Sequence, residues 1–462
     1  MPGTLEKKFI KLTEEKAFDR EHRAIMSKNI GHYNHAFEES TLNFFHLENS
    51  KKKAHLIKWR AIENLDKYLH EFETQFLKRG GKVIWANDAQ EALQEIDEIL
   101  KKVNAKQVIK AKSMVTEEIK LNEFLEKKGV EVWEGDLGEF IVQQNIEKPY
   151  HIVTPAMHLT KEKIAKIFNE KWEVPLDATP EQLTLFARNF LRDKFRNADV
   201  GITGANFLIA ENGSVVITEN EGNARLTTTF PKVHIAIAGI EKILPQMKDL
   251  SLFWPLLSSH GTGQKLTTYN TILSGPRQDH EIDGPEEMYV ILLDNGRTDL
   301  LAKSEQRQGL YCIRCGACLN VCPIYQNIGG HAYQNTYSGP IGSLISPHTQ
   351  GMKDFSHLSQ ASTLCGKCTE VCPVKIPIDR MLTLNRRDAV EEKIQPFSEN
   401  LKWKGFTWFT SSRKRMQLLG SKMKNFLLKM FFPKMGGMNR KAPKFEKDSF
   451  SKSWQEKDHS KD

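Results

Sequence analysis

The sequence has no cysteine outside two short stretches: all seven, Cys312, Cys315, Cys318, Cys322, Cys365, Cys368 and Cys372, lie within one segment of a 462-residue chain. A disulfide framework would scatter its cysteines and belongs to an oxidising compartment, so this distribution argues for thiols that act as ligands. No stretch approaches the roughly 18 apolar residues of a membrane span. The opening MPGTLEKKFIKLTEEK lacks the apolar centre of a secretory signal, and the expected location is the cytoplasm. Dinucleotide fingerprint, P-loop and nucleophile elbow are all missing. Acidic residues are absent from Leu401 to Phe445, which holds twelve Lys or Arg and more than accounts for the net charge of +8. A basic tail without a reading fold or base-contacting groups is no argument for nucleic acid, and none is expected as a partner.

What is present has the length of two or three domains. Residues 1–75 carry a broken helical pattern. In it Leu56, Trp59, Ile62, Leu65, Leu69 and Phe72 recur at spacings near three and four, a helical face expected to pack on the next domain. Residues 76–300 alternate β-rich runs (KVIWA, QVIKA, VEVWE) with helical ones, which predicts right-handed crossovers and a largely parallel sheet in an α/β domain. HIVTP, SVVIT and VHIAIAG are expected to continue that sheet. A helix should open at Thr179-Pro180-Glu181-Gln182, a capping box with proline at its first position. The Gly- and Pro-rich segment from Ser251 reads as loops up to a strand at Met288–Leu293, then a short hinge at Asn295-Gly296. Residues 301–395 form the cysteine domain and 396–462 a basic tail, partly amphipathic or disordered.

The first run, CIRCGACLNVCP, has the spacing C-x2-C-x2-C-x3-C-P of bacterial ferredoxins, in which three thiolates hold one cluster and the fourth crosses to the other. Zinc sites use two separated C-x2-C pairs, so iron–sulfur is the expected chemistry. The second run, STLCGKCTEVCP, has Ser362 where a first cysteine would stand. By the crossing rule Cys312, Cys315, Cys318 and Cys372 hold one 4Fe–4S cluster, while Cys322, Cys365 and Cys368 hold a second cluster one thiolate short. That second cluster is 3Fe–4S, or 4Fe–4S with its last iron bound by the Ser362 oxygen, water or a partner. Alternatively Ser362 only caps the following turn. The helical residues after Pro373 favour a helical dicluster ferredoxin. The 42 residues between Cys322 and Cys365 form an insert that would shape a docking face for an electron partner. His331 within it reads as structural.

CIRCGACLNVCPIY, GGHAY, YSGPIG and LCGKCTEVCPVKIP, with EVWEGDLGEFIVQQ, HIVTPAMH and GITGANFLIAENGSVVITENEGNARL upstream, resemble the iron–sulfur B proteins of lactate utilisation up to about Asn400. The resemblance implies a lactate-utilisation-type domain related in fold to coenzyme A transferases and sugar-phosphate isomerases, followed by a dicluster ferredoxin domain. It also implies a part in oxidising L-lactate to pyruvate alongside partner subunits, and a second run that lacks its eighth cysteine throughout the family.

In the α/β domain the candidates are modest. Gly201 and Gly204 around Thr203 would let backbone amides meet an anion, or simply serve a turn. HGTGQ at His260–Gln264 reads the same way, and His151, His158 and His234 read as core or turn histidines. Glu219, Glu221 and Arg225 are the densest polar group near a strand end. Oxidising a hydroxy acid requires a centre that takes two electrons, and clusters move electrons singly. The chain is therefore equipped to relay electrons, with no complete active site of its own in evidence. The rival readings are an enzyme that binds a small anionic substrate in the α/β domain and an iron–sulfur redox sensor. In the tail, Met416, Leu419, Met423, Phe426, Leu427 and Met430 would line one side of a basic amphipathic helix. Such a helix suits either peripheral contact with the inner face of the membrane or docking to an acidic subunit.

Overall fold

The structure is a computed structural model that describes residues 3–394, 397–431, 443–450 and 452–454. The described residues fall into two units, Gly3–Ala389 and the segment from Val390 onward.

Ten strands occur in the larger unit: β1 (Lys82–Ala86), β2 (Gln107–Lys110), β3 (Glu131–Glu134), β4 (Val200–Gly204), β5 (Phe207–Ile209), β6 (Ser214–Glu219), β7 (Val233–Gly239), β8 (Ile243–Leu244), β9 (Tyr269–Leu273) and β10 (Glu287–Leu293). Six of them form a wholly parallel sheet in the order β1-β10-β7-β4-β2-β3. Side chains alternate across it as the two-residue period requires. In β10, Tyr289, Ile291 and Leu293 enter the core beneath the helix Ala89–Lys102, while Met288, Val290 and Leu292 enter the larger core on the opposite face. A third cluster packs Phe140, Phe168, Leu183 and Phe195 over Ile109 of β2.

The predicted strands KVIWA, QVIK, EVWE and VHIAIAG are all present, and the helix Pro180–Asn197 opens with the predicted box. The Gln182 amide donates to Thr179 Oγ1 at 3.3 Å, and the Thr179 amide donates to Gln182 Oε1 at 2.8 Å. Four expectations fail. HIVTP is irregular, its backbone held by side chains such as His151. SVVIT becomes β6 of a separate four-stranded sheet, β8-β5-β6-β9, where it pairs antiparallel with β5 and β9. The segment after Ser251 holds the helix Leu250–Thr262 and strand β9, because Leu256 and Leu257 bury against the second sheet's core. Asn295 and Gly296, expected as a hinge, form a left-handed turn with φ 45° and 81° that opens the helix Arg297–Ala302.

The N-terminal helices do pack on the rest of the larger unit, but on a shifted face. Helix Leu47–Glu63 buries Ala54, Ile57, Ala61 and Ile62 and breaks at Asn64, so Leu56 and Trp59 point outward at 60% and 50% exposure. This helix also grips the cysteine segment: Lys51 Nζ donates to the Glu370 carbonyl at 3.0 Å, and His55 Nδ1 donates to that of Val374 at 2.9 Å. The insert between the cysteine runs is largely internal. Its helix Gly339–Thr349 is buried from Gly339 through Pro347, and Tyr325, Tyr333 and Tyr337 join the main core. Gly329 and Gly330 are glycines because Tyr150 occupies the space where their Cβ atoms would stand.

In the smaller unit the expected continuous helix is interrupted. Arg413–Gln417 ends before Leu418, and a new helix spans Ser421–Phe431, which separates Met416 and Leu419 from the face of Met423, Phe426, Leu427 and Met430. Among the described residues no helix is long and apolar enough to cross a membrane.

Candidate metal centre

The two cysteine runs take the same local path. Arg314 and Leu364, each just before the second-position cysteine, adopt left-handed backbone with φ 60° and 54°. Gly316 and Gly366, each just after it, have φ 83° and 81°. Left-handed backbone is costly for a residue with Cβ and is found where surrounding structure enforces it. In the first run it turns an amide toward sulfur, with Arg314 N–H donating to Cys312 Sγ at 3.3 Å; just after the second run Lys375 is also left-handed, with φ 51°, and the next amide, Ile376 N–H, donates to Cys372 Sγ at 3.4 Å. Each turn then launches a short helix, Ala317–Asn320 or Lys367–Val371, that carries the next cysteine.

Cys312, Cys315, Cys318 and Cys372 line one small pocket, walled by Ile313, Ile341, Ile376 and Ile378. Burial pushes the Cys318 thiol well above its ordinary value, and the sulfurs of Cys312, Cys315, Cys368 and Cys372 raise it further. On the other side, burial and then the Cys322 sulfur push Cys368 up to about 12, with Cys365 also contributing. Cys365 itself is exposed and its thiol is held below its ordinary value, chiefly by the Lys367 amide. Of the seven, Cys312 is half-buried, Cys365 is exposed and the other five are buried.

Two observations test the donor set against metal chemistry. Around a tetrahedral zinc the sulfurs stand about 3.8 Å apart, given Zn–S bonds near 2.3 Å. Among the described residues, the groups whose ligand atoms crowd within 4.8 Å of one another contain no cysteine. Arg314 also leaves Nε and Nη1 buried without acceptors beside Cys312, its guanidinium lying 4.3 Å over the Tyr337 ring. Donors aimed at an anionic sulfur-rich centre are what an iron–sulfur cluster finds stabilising.

Ser362 serves its own turn. Its Oγ accepts the Leu364 amide at 3.1 Å, and its carbonyl accepts from Arg386 at 3.2 Å.

The α/β candidates scatter. Gly201 and Gly204 lie in β4 and are absent from the left-handed positions; a Cβ at Gly201 would stand 2.0 Å from the Thr227 carbonyl, so close packing accounts for it. His234 bonds Thr203 Oγ1 at 2.8 Å and is pushed down to about 3 by burial. His260 bonds the Leu256 carbonyl at 2.8 Å, and His151 Nδ1 accepts the Val153 amide at 3.1 Å. All three are satisfied core groups on at least one ring nitrogen. His158 and Glu147 pair at 2.8 Å, with His331 close by and donating to the Lys148 carbonyl at 2.7 Å. Glu219 accepts the Ala224 and Arg225 amides at 2.8 and 2.9 Å, while Arg225 is exposed and stacks over Tyr269.

Sequence reasoning missed the polar groups that join the α/β domain to the cysteines. Arg297 binds Glu118 through Nη1 and Nη2 at 3.0 and 2.9 Å and Glu241 through Nε at 2.6 Å. Tyr337 donates to Glu118 at 2.6 Å, and Arg314 Nη2 donates to Glu241 at 3.3 Å. Lys110, fully buried at the end of β2, binds Glu134 at 2.8 Å and Glu117 at 3.0 Å. Charges at strand ends were the one available signal, and their partners lie too far away in sequence to be paired by inspection.

Two domain families match the sequence, the LUD domain over residues 69–293 and the 4Fe–4S dicluster domain over 308–376. The first spans the parallel sheet and the second contains every cysteine. Lactate utilization protein B of Macrococcus caseolyticus is 47% identical over 390 residues, covering 84% of this chain and 81% of that protein. The protein of the same name from Bacillus subtilis is 46% identical over 358 residues, covering 77% and 74%. A crystal structure of a DUF162 family protein from Deinococcus radiodurans aligns over 50% of this chain and 98% of that one, at 18% identity and a TM-score of 0.27.

Proposed function

This chain belongs to the lactate utilization protein B family, and from that membership we propose that it is the iron–sulfur electron-transfer subunit of an L-lactate-oxidising complex. A bound iron–sulfur cluster supplies the uptake and release of one electron at a time. The observation that carries the reading is the convergence of Cys312, Cys315, Cys318 and Cys372 from two distant runs on one apolar pocket. In this reading those four hold a 4Fe–4S cluster, and Cys322, Cys365 and Cys368 hold the second, more exposed one. The apolar wall keeps water from the first set. The Arg314 and Ile376 amides donate hydrogen bonds to the Cys312 and Cys372 sulfurs, as amides do to cluster thiolates.

Removing two electrons together from a hydroxy acid calls for a flavin, nicotinamide or comparable centre on a partner subunit. The expected result is that L-lactate reduces the clusters of this protein, followed by electron paramagnetic resonance, only when the partner subunits are present. Reduction of the isolated chain by L-lactate would instead favour an enzyme in its own right.

The tail supports a second, smaller proposal: peripheral attachment to an anionic membrane. Trp403, Trp408, Met423 and Phe426 are exposed apolar side chains among basic residues. Each Lys or Arg near an anionic leaflet contributes about 1 kcal/mol, in addition to apolar burial. Full-length protein should sediment with anionic liposomes at low salt and at moderate salt, and truncation at Asn400 should abolish this. Absence of sedimentation at low salt rejects the membrane, and the remaining reading is docking to an acidic subunit.

A further inference from the structure

Two imidazoles and a carboxylate meet where the α/β domain touches the insert between the cysteine runs. Glu147, His158 and His331 each offer one ligand atom, and the three atoms lie within 4.8 Å of one another. Glu147 and His158 lie on either side of Tyr150 in the irregular stretch after the helix Leu137–Gln144, and His331 follows the Gly329-Gly330 turn of the insert.

Tyr150 is the platform on which they converge. A Cβ at Gly329 or Gly330 would collide with it, so the insert lies directly against this tyrosine. Its ring stacks on His158 with centroids 4.4 Å apart and meets His331 edge-on at 4.7 Å. The two imidazoles consequently stand 4.9 Å apart, edge to face. Tyr150 is itself buried, and its hydroxyl bonds His22 of the helix Arg20–Thr41, which fixes the platform from below.

The nitrogens are disposed as ligands. A carbonyl only accepts, so the 2.7 Å bond from His331 Nε2 to the Lys148 carbonyl places the hydrogen on Nε2 and the lone pair on Nδ1. Metal-binding histidines are held in this way, with the other ring nitrogen donating to a carbonyl or carboxylate. His158 meets Glu147 through Nε2 at 2.8 Å, while its Nδ1 is buried with no hydrogen-bond partner. That orphan marks a ring which protein groups alone do not satisfy. Lys16, the cation acting on both His331 and His22, is paired with Asp19 at 3.4 Å. Around a tetrahedral zinc, nitrogen and oxygen ligands stand about 3.4 Å apart, so small side-chain rotations close the three onto one ion.

We propose that Glu147, His158 and His331 bind a divalent ion of the zinc class, which clasps the α/β domain to the insert between the cysteine runs. Two imidazoles and one carboxylate suit such an ion, and water completes its coordination from the side of Glu147, whose side chain is 34% exposed. No cysteine belongs to this site, so it is separate from the iron–sulfur centres. Its effect reaches them through the insert: Tyr325, three residues after Cys322, donates to the Tyr150 carbonyl at 2.9 Å.

The test uses full-length protein purified anaerobically with its clusters and dialysed to equilibrium against zinc chloride, with zinc, iron and sulfide measured on the same sample. The expected outcome is one zinc per chain in addition to the cluster iron, at unchanged iron and sulfide. X-ray absorption at the zinc edge should show nitrogen or oxygen neighbours at about 2.0 Å and no sulfur at about 2.3 Å. Glu147→Gln and His331→Ala should each weaken zinc binding by about tenfold or more while iron is retained. Zinc should raise the thermal unfolding midpoint of the parent and not of the variants. Should His331→Ala lose its clusters, Glu147→Gln, changed at the partly exposed ligand, decides alone. Absence of zinc binding, sulfur among the zinc neighbours, or binding that Glu147→Gln leaves intact overturns the inference. The site owes nothing to the lactate-utilisation reading, so either result leaves the electron-transfer proposal to its own test.

Discussion

Replacing Cys315 by serine is expected to remove one iron–sulfur cluster from the anaerobically purified protein and to leave the other in place. Cys315 lines the pocket with Cys312, Cys318 and Cys372, and after burial the sulfurs acting on its thiol are those of Cys312 and Cys372. Serine keeps the volume but offers a harder, more basic ligand that iron–sulfur chemistry uses poorly. Iron should therefore fall by about half, because the two clusters draw on different cysteines. Cys368→Ser should do the converse, since Cys322 and Cys365 are among the groups acting on Cys368. Ser362→Ala is the contrast. Its hydroxyl is engaged with the Leu364 amide, so this variant should keep both clusters and an unchanged resonance spectrum. Brief exposure to air should convert the second cluster first, because Cys365 is exposed while the other set is sheltered. Loss of both clusters on Cys315→Ser, or zinc in place of iron after anaerobic reconstitution, would rule out the crossed assignment.

Arg297→Met should be the most destabilising single change away from the cysteines, at about 3–5 kcal/mol, the usual cost of leaving buried charges without their partner. Arg297 is 3% exposed and stands between Glu118 and Glu241, themselves 2% and 1% exposed. Burial pushes the Glu241 carboxyl up, but Arg297, Arg314 and Lys242 outweigh it and hold the group at about 2. A carboxylate whose pKa is lowered by folding contributes stability above its unfolded value near 4.3, and this is lost as pH falls toward 2. Without Arg297 the sign reverses. Burial then raises Glu118 and Glu241, and the folded variant recovers stability as acid protonates them. Denaturant midpoints of parent and variant should consequently lie far apart at pH 7.5 and closer at pH 5.5, at equal cluster content. A loss below about 1 kcal/mol, or a gap independent of pH, would mean that the two carboxylates find other partners. The same variant should shed its first cluster faster, because Glu241 also receives Arg314 from the turn that carries Cys315.

Much of this molecule is written in short-range pattern. The cysteine runs were legible because a cluster-binding turn is built from neighbours three and four positions apart. Gly316 and Gly366, which the spacing argument passed over, are where the turn goes through left-handed backbone. The box at Thr179 and the alternation of β1, β2, β3 and β7 with helices are likewise local, and they suffice for a parallel α/β sheet followed by a ferredoxin-like segment. Where burial is decided by a distant partner, local pattern misled. Leu56 and Trp59 fit a helical stripe, yet the buried stripe is one step around, set by contact with the second sheet and the cysteine segment. HIVTP has strand composition but is spent on turns, and SVVIT pairs in another sheet, because strand composition names no pairing partner.

The sequence by itself determined the ligand types, their grouping into runs and the class of fold, since these depend on residues within one turn or one strand. Only the tertiary structure decided what those parts face. Glu118, Glu241, Arg297, Arg314 and Tyr337 come from five separate segments, and the strand order β1-β10-β7-β4-β2-β3 brings their charges together below the surface. Lys242 is an ordinary lysine until the sheet's open end and the first cysteine run enclose it. Burial there lowers the affinity of its amine for a proton and Glu241 opposes this, and neither effect exists in the extended chain.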